Sequence, residues 1–159
     1  MIDVLRILEK DARTSPATIA DMTGRTEEEV AEIIAKCERE GIIRTYKTVV
    51  DWDKLKEERV FAFIDVKVMP ARDVGFDDVA LRIHRFPEVH SLYLVSGEYD
   101  LRVVVEGKSL KEVASFVHQK LATVDRVVGT ATHFLLKKYK EDGVIFTEVP
   151  VDERLAVTP

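Results

Sequence analysis

The chain has 159 residues, of which 46% are hydrophobic and 33% charged, and its net charge is −5. This length and composition fit one soluble domain or two small ones, and no apolar run approaches the roughly 20 residues of a membrane helix. The negative charge excludes a general attraction to nucleic acid or anionic membranes, and the single cysteine, Cys37, excludes an internal disulfide.

The first segment, IDVLRILEK, follows a helical period. Ile2, Leu5 and Leu8 form one stripe of a short helix, with Val4 and Ile7 beside it. Because apolar and charged residues alternate here, the N-terminus does not resemble a signal peptide, and we expect a cytoplasmic protein.

Two further helices are predicted from their start and stop signals. Ser15 and Pro16 start a short helix that ends at Gly24, where glycine accommodates a positive φ. Thr26 then starts a longer helix, and Glu29 completes a capping box. One amphipathic stripe follows on this helix, formed by Val30, Ile33, Ile34 and Cys37.

After Gly41, the segment IIRTYKTVVDW is predicted to be a strand with basic residues at Arg44 and Lys47. Three helices with a tight glycine turn, followed by a basic strand, predict a winged helix-turn-helix over residues 1–50. The polar residues 51–59 are predicted to form a linker.

Residues 60–140 change to a strand-rich rhythm. The predicted order is strand, helix, strand, strand, helix, strand, which is the ferredoxin-like unit with both helices on one face of an antiparallel sheet. The predicted elements are VFAFIDVKVM, GFDDVALRIHRF, VHSLYLV, DLRVVVEG, SLKEVASFVHQKL and GTATHFLLKKY. The fold class is therefore α+β, with an N-terminal winged helix-turn-helix and a C-terminal ferredoxin-like domain.

The first and last of these strands are apolar on both faces. In the first strand, Val60, Ala62, Ile64, Val66 and Val68 share one face, while Phe61, Phe63 and Met69 lie on the other. In the last strand, Thr132, Phe134 and Leu136 alternate with Ala131, His133 and Leu135. A sheet with helices on one side is normally polar on its other side. The pattern therefore predicts a homodimer that packs sheet against sheet.

Two further segments are VSGEYDL at the hairpin and EREGIIRTYKTVVDWDKL, which runs on from the end of the third helix. With the helices and strands above, they resemble the Lrp/AsnC (feast/famine) transcriptional regulators from about Met1 to Tyr139. The resemblance implies a regulator whose dimers bind pseudo-palindromic double-stranded DNA and often assemble into octamers. It also implies that a small effector, commonly an amino acid, binds between the sensing domains.

The turn SGEYD has chemistry that suits an amino-acid effector. Gly97 lets a ligand approach the backbone, Glu98 or Asp100 offers an acceptor for an ammonium group, and Tyr99 offers a flat wall. We count Ser96 and Thr132 as further candidate contacts. The alternative is a plain hairpin turn in which Asp100 bonds its own backbone.

The third helix is acidic for a DNA-reading helix. Glu27, Glu28, Glu32 and Lys36 lie on its exposed face with Ala31 and Ala35 between them, and residues 1–55 contain nine Lys or Arg against twelve Asp or Glu. We consider three explanations. The glutamates cap the helix and complement its dipole, or one accepts from cytosine N4 in the major groove, or direct DNA binding is weak or lost. The candidate DNA contacts are Arg13, Arg25, Thr26, Glu27, Glu28, Ala31, Glu32, Lys36, Arg44 and Lys47.

Other classes have less support. The four histidines lie at 84, 90, 118 and 133 without an i, i+4 pair, and no catalytic motif or phosphate loop is present, so we expect neither an enzyme nor a metal or cofactor. The alternative function is an effector-sensing co-regulator with weak or no direct DNA binding. The tail 141–159 contains short apolar runs, VIF and LAV, that either join a sheet edge or a neighbouring subunit, or remain disordered.

Overall fold

The computed structural model describes residues 1–69 and 75–147, and the chain divides into two compact units, Met1–Val49 and Val50–Pro159. Each described unit has its own apolar core.

The first unit contains three helices, α1 Ile2–Lys10, α2 Pro16–Thr23 and α3 Glu27–Arg39. The predicted boundary signals are confirmed. The Ser15 side chain accepts a hydrogen bond from the Thr18 amide, and Gly24 ends α2 with φ +66°. The buried core is formed by Val4, Leu8, Ile19, Ala20 and Val30.

The predicted stripe on α1 was partly wrong, because Ile2 is 64% exposed while Val4 is fully buried. Val4 and Leu8, four residues apart, form the buried line, and Ile7 packs beside it. The helix is therefore rotated relative to the prediction, which placed Val4 at the side of the stripe.

The strand predicted over residues 42–52 does not form, since none of these residues lies in a strand. A strand needs a neighbouring strand for its backbone groups, and the elements of Met1–Val49 are helices. The first residues of this segment instead close α3, because the amides of Ile42 and Ile43 both donate to the Cys37 carbonyl. Further along, the Tyr46 hydroxyl donates to Glu38 at 2.9 Å.

The second unit confirms the predicted β-α-β-β-α-β order. It contains β1 Val60–Val68, α4 Asp77–Ile83, β2 Val89–Leu94, β3 Leu101–Gly107, α5 Leu110–Gln119 and β4 Val127–Phe134. The sheet order is β2-β3-β1-β4, and every neighbouring pair is antiparallel. Short 3₁₀ turns lie at Asp53–Leu55, within the predicted linker, and at Leu121–Thr123.

The core lies between one face of this sheet and the two helices. From β1 it includes Ala62, Ile64, Val66 and Val68, as the alternation predicts, and from α5 it includes Phe116. Complete burial of an aliphatic side chain such as Ile64 contributes about 1.5–3 kcal/mol. Similar burial along β1, β3, α4 and α5 fixes the register of the strands, and with it the positions of the turns between them.

The last strand is shorter than predicted. Phe134, the last residue of β4, pairs with Ala62, and the Leu135 amide still bonds to the Phe61 carbonyl. Leu136 is 96% exposed. The VIF run enters a separate small hairpin, β5 Lys140–Glu141 with β6 Val144–Ile145, and does not extend the main sheet, whereas LAV lies outside the described residues.

Candidate functional sites

The first candidate site is the turn between β2 and β3. The Val95 amide donates to the Asp100 carbonyl at 2.9 Å and closes the turn. Gly97 has φ +136°, a conformation that side-chain-bearing residues rarely adopt, and the space where a Cβ would project is open. Ser96, Gly97 and Glu98 are exposed, and Tyr99 is half-buried. The turn therefore presents backbone and the Glu98 carboxylate to solvent.

Asp100 ties the turn to the neighbouring strand β1. Its carboxylate accepts from the Val68 amide at 2.9 Å, and its own amide donates to the Val66 carbonyl at 3.0 Å. These bonds tie the turn to the end of β1, so the predicted bond of Asp100 to its own turn backbone is wrong. With the carboxylate largely buried and engaged, Glu98 is the more accessible acceptor for a ligand ammonium group.

Lys67 belongs to this site and was not identified from the sequence. Its ammonium donates to the Glu98 carbonyl at 2.6 Å and lies 3.3 Å from the Asp100 carboxylate. No motif marks Lys67, because its position beside the turn depends on the fold of β1 against β3. The residue lies on the sheet face opposite the helices, since Lys67 alternates with the buried Val66 and Val68.

Thr132 is not brought to the turn. It pairs with Ile64 in β1, on the helix-facing side of the sheet, whereas Asp100 bonds at Val68. Four residues of strand separate these two points, a distance of about 13 Å. Within one chain, Thr132 is therefore too far from residues 96–100 to contact the same effector molecule.

The second candidate site is the exposed face of α3. Val30 and Cys37 are fully buried. On the opposite side of the helix, about 140–200° around the axis from Val30 at 100° per residue, one line of residues is formed by Glu28, Glu32, Ala35 and Arg39. Glu28, Glu32 and Arg39 are exposed, whereas Ala35 is half-buried. This line, which we call the outer stripe, is the part of α3 farthest from the core.

Helix capping explains part of the acidic run. The Thr26 hydroxyl accepts from the Glu29 amide at 3.2 Å, and the Glu29 carboxylate accepts from the Thr26 amide at 2.9 Å. The predicted capping box is confirmed. Within the described ranges 1–69 and 75–147, neither Glu28 nor Glu32 forms a side-chain hydrogen bond or ion pair.

Cations surround the outer stripe. A groove of about 600 Å³ along α3 is lined by Arg25, Lys36 and Arg39 together with the carboxylates of Glu29 and Glu32, so its charge is net positive. Arg39 was missed by the sequence reasoning, although it lies seven residues beyond Glu32 on the same stripe. The local charge of this groove is thus opposite to that of the whole helical module.

Arg25 is anchored rather than free. Its guanidinium pairs with Asp3 at 3.0 Å, and Asp3 also accepts from the N-terminal ammonium at 2.9 Å. These hydrogen bonds, the ammonium bond first and the Arg25 bond second, lower the pKa of Asp3. Arg25 is therefore held beside the start of α3 by α1.

The remaining predicted contacts, Arg13, Arg44 and Lys47, lie on exposed loop positions. The Arg44 guanidinium lies over Gly41, because a Cβ added at Gly41 would meet it at 3.2 Å. Arg44 thus lies next to the C-terminal end of α3. On the helix itself, the Lys36 ammonium lies 3.9 Å from the Glu40 carboxylate.

The sheet face opposite the helices contains a charged ladder among its aromatic residues. Asp65 is 7% exposed, and Arg102 on β3 donates two hydrogen bonds to it at 2.7 and 3.0 Å. His133 on β4 lies 3.6 Å from the same carboxylate. The Arg102 hydrogen bonds lower the pKa of Asp65. This face therefore combines charged residues with Phe61 and Phe63, both of which are half-buried.

Among the described residues, no group of three or more His, Cys, Asp or Glu side chains is arranged to hold a metal ion. In the same part of the chain, no helix is long and apolar enough to cross a membrane.

Comparisons with known proteins agree with the two-unit architecture. The family model described as Lrp/AsnC ligand binding domain matches residues 61–145, and the one described as winged helix-turn-helix DNA-binding matches residues 1–44. The HTH-type transcriptional regulator YugG of Bacillus subtilis is 51% identical over 158 residues, which cover 99% of this chain and 95% of the relative.

More distant proteins share the same arrangement. The HTH-type transcriptional regulator FL11 of Pyrococcus furiosus is 30% identical over 148 residues, covering 93% of this chain and 92% of the relative. Among solved structures, the complex of the transcriptional regulator NMB0573 of Neisseria meningitidis with L-Met superposes with a TM-score of 0.70 at 23% identity, covering 88% of this chain and 90% of that one.

Proposed function

The chain belongs to the Lrp/AsnC family of transcriptional regulators, and on that premise we propose that it binds operator DNA directly through α3 and responds to an amino acid bound at residues 96–100. The observation that supports DNA binding best is the net positive groove along α3, on a module whose total charge is negative. Because the proposed partner is DNA, the proposal also places the protein in the cytoplasm.

DNA phosphates are held in this proposal by cations on both sides of the outer stripe. Arg25 and Lys36 flank it, and Arg44 and Lys47 follow the C-terminal end of α3. Four phosphate contacts in each subunit correspond to a slope of roughly −3.6 in log affinity against log salt, and a dimer doubles that value. Assembly therefore supplies the electrostatic free energy that one acidic subunit lacks.

The proposed assembly is a homodimer formed through the sheet face that bears Phe61 and Phe63. Both rings are half-buried in the single chain, and the helices cover only the other face. A two-fold dimer presents two α3 helices and so fits a pseudo-palindromic operator. We further propose that dimers assemble into octamers, as the family resemblance implies.

The effector is proposed to be an amino acid held by the exposed turn. The open backbone at Gly97 accommodates a carboxylate close to the main chain, and the Glu98 side chain accepts from the ammonium group. The fold-level similarity to a regulator solved with L-Met supports an amino acid as the ligand class.

The test of DNA binding uses fluorescence anisotropy with the upstream DNA over a salt series. We expect Arg44→Ala with Lys47→Ala to weaken binding on all sequences and to reduce the salt slope by about 2 per subunit. A matched control is Lys137→Ala with Lys140→Ala, which removes two exposed cations from the sensing unit. Equal effects of the two pairs would contradict the proposed DNA surface.

The effector is tested separately by calorimetric titration of individual amino acids. We expect Glu98→Gln to weaken binding of the active amino acid by about tenfold or more, through loss of a charged hydrogen bond. Glu58→Gln, an exposed carboxylate outside the turn, is the control and should not change the affinity.

A second candidate function is a sensor that acts through partner subunits with little DNA contact of its own. The acidic excess of residues 1–55 and the pairing of Arg25 with Asp3 favour it. Amino-acid binding without any DNA affinity at low salt would support this alternative.

A further inference from the structure

The outer stripe of α3 distinguishes its glutamates from one another. Glu29 is engaged in the capping box, and Glu27 lies about 60° from Val30, at the flank near the core. Glu28 lies on the outer stripe but in the first turn, where a carboxylate complements the helix dipole. Glu32 lies one turn further along and has no such local explanation.

The surroundings of Glu32 suit an approach to DNA. Arg25, Lys36 and Arg39 line the same groove, so phosphates on either side meet cations while Glu32 lies between them. The neighbouring positions Ala31 and Ala35 have small side chains. Nothing bulky therefore keeps the middle of the outer stripe away from base edges, and the Glu32 carboxylate is the longest acceptor projecting from it.

In the major groove, a Watson–Crick C·G pair offers a carboxylate one good hydrogen-bond donor, which is the N4 amine of cytosine. Adenine also presents an amine, but its N7 acceptor beside it repels a carboxylate and favours a side-chain amide. The chemistry of Glu32 therefore discriminates between these two bases.

We infer that Glu32 is a specificity-determining residue, and that each operator half-site contains a cytosine whose N4 amine donates to the Glu32 carboxylate. This inference rests on the proposed function, because it requires that α3 enter the major groove. It makes the acidic helix selective where a purely basic helix would bind more uniformly.

The experiment is a selection from a random DNA library with the full-length wild-type chain, Glu32→Gln and Glu9→Gln, followed by equilibrium binding to matched duplexes. For the wild type we expect a conserved cytosine in each half-site and a loss of roughly 5- to 150-fold when that C·G pair becomes A·T. Glu32→Gln should prefer the A·T duplex, because glutamine makes a bidentate contact with adenine.

Glu9→Gln is the matched control, with the same loss of charge at an exposed position of α1, outside the candidate DNA contacts. It should bind every sequence somewhat more tightly and keep the cytosine preference. Circular dichroism melting checks that both variants fold as the wild type does, as expected for exposed positions.

Each outcome decides something different. If Glu32→Gln selects the same half-site as the wild type, the assignment of Glu32 is overturned while direct DNA binding stands. If both glutamine variants shift the preference equally, the effect is one of charge and the assignment is also overturned. If the wild type enriches no sequence, direct DNA binding itself is refuted, and the inference with it.

Discussion

Replacement of Asp100 by alanine provides a direct test of how the sensing turn is held. If Asp100 served only as an acceptor for an effector, this change would leave the fold intact. In the structure Asp100 instead fixes the turn to β1, so we expect Asp100→Ala to destabilise the sensing unit as well.

The magnitude follows from the bonds that are lost. The Val68 amide belongs to a residue that is 2% exposed, and its bond to a charged acceptor contributes about 1.5–3 kcal/mol. The ion pair with Lys67 adds less than about 1 kcal/mol, because the lysine side chain is 45% exposed. The total loss of about 2–3 kcal/mol corresponds to a fall in Tm on the order of 10 °C.

The assay is thermal unfolding followed by near- and far-ultraviolet circular dichroism, with two comparison variants. Asp100→Asn keeps an acceptor for the Val68 amide and should lose about 1 kcal/mol or less, as should Lys67→Met. A Tm for Asp100→Ala within about 2 °C of the wild type would refute the reasoning, since a buried amide left unpaired should cost more than that.

Three further predictions concern other features of the chain. Arg102→Ala should destabilise the sensing unit in urea unfolding, because it leaves the buried Asp65 carboxylate without its two hydrogen bonds from Arg102. Because Arg102 lowers the pKa of Asp65, the stabilisation from this pair is complete above the ordinary aspartate pKa of about 3.9 and is lost as pH falls through the lower pKa of the folded state. The difference in the free energy of unfolding between the wild type and Arg102→Ala should therefore become smaller in acid. Gly97→Ala should cost about 1–3 kcal/mol through backbone strain alone, and a melting curve unchanged from wild type would contradict this. Thr26→Ala should cost the helical unit about 1 kcal/mol in helix unfolding at 222 nm, and no loss would show that the capping box with Glu29 is unimportant.

The parts of the fold with local causes were predictable. The ends of α2 and α3 follow from Ser15, Gly24 and Thr26, whose capping chemistry acts within a few residues. The order of strands and helices follows from alternation and from runs at helical spacing, and the structure confirms it. These signals are written in adjacent residues and need no tertiary contact.

The failures all involve partners distant in sequence. The segment 42–52 has the composition of a strand, but a strand also needs a neighbour, and the first unit offers only helices. The end of β4 at Phe134 depends on how far its pairing with β1 continues, and nothing within GTATHFLLKKY signals it.

The same limit applies to the sites. The sequence identified the turn at Gly97 because glycine has a local conformational meaning, yet it did not reveal that the Asp100 carboxylate accepts from the Val68 amide, 32 residues away. Lys67 was missed for the same reason, and Thr132 was placed near the turn without knowledge of its pairing with Ile64. Arg39 is different, since helical periodicity alone would have placed it on the outer stripe.

The central claim is that this acidic module binds specific DNA under the control of an amino acid. It is tested most directly by a gel shift of the wild-type protein on its own upstream DNA across a salt series, with and without pooled amino acids. We expect a specific shift that weakens steeply with salt and changes with an amino acid. The absence of any shift at low salt, from an oligomer that still binds an amino acid, would contradict the claim.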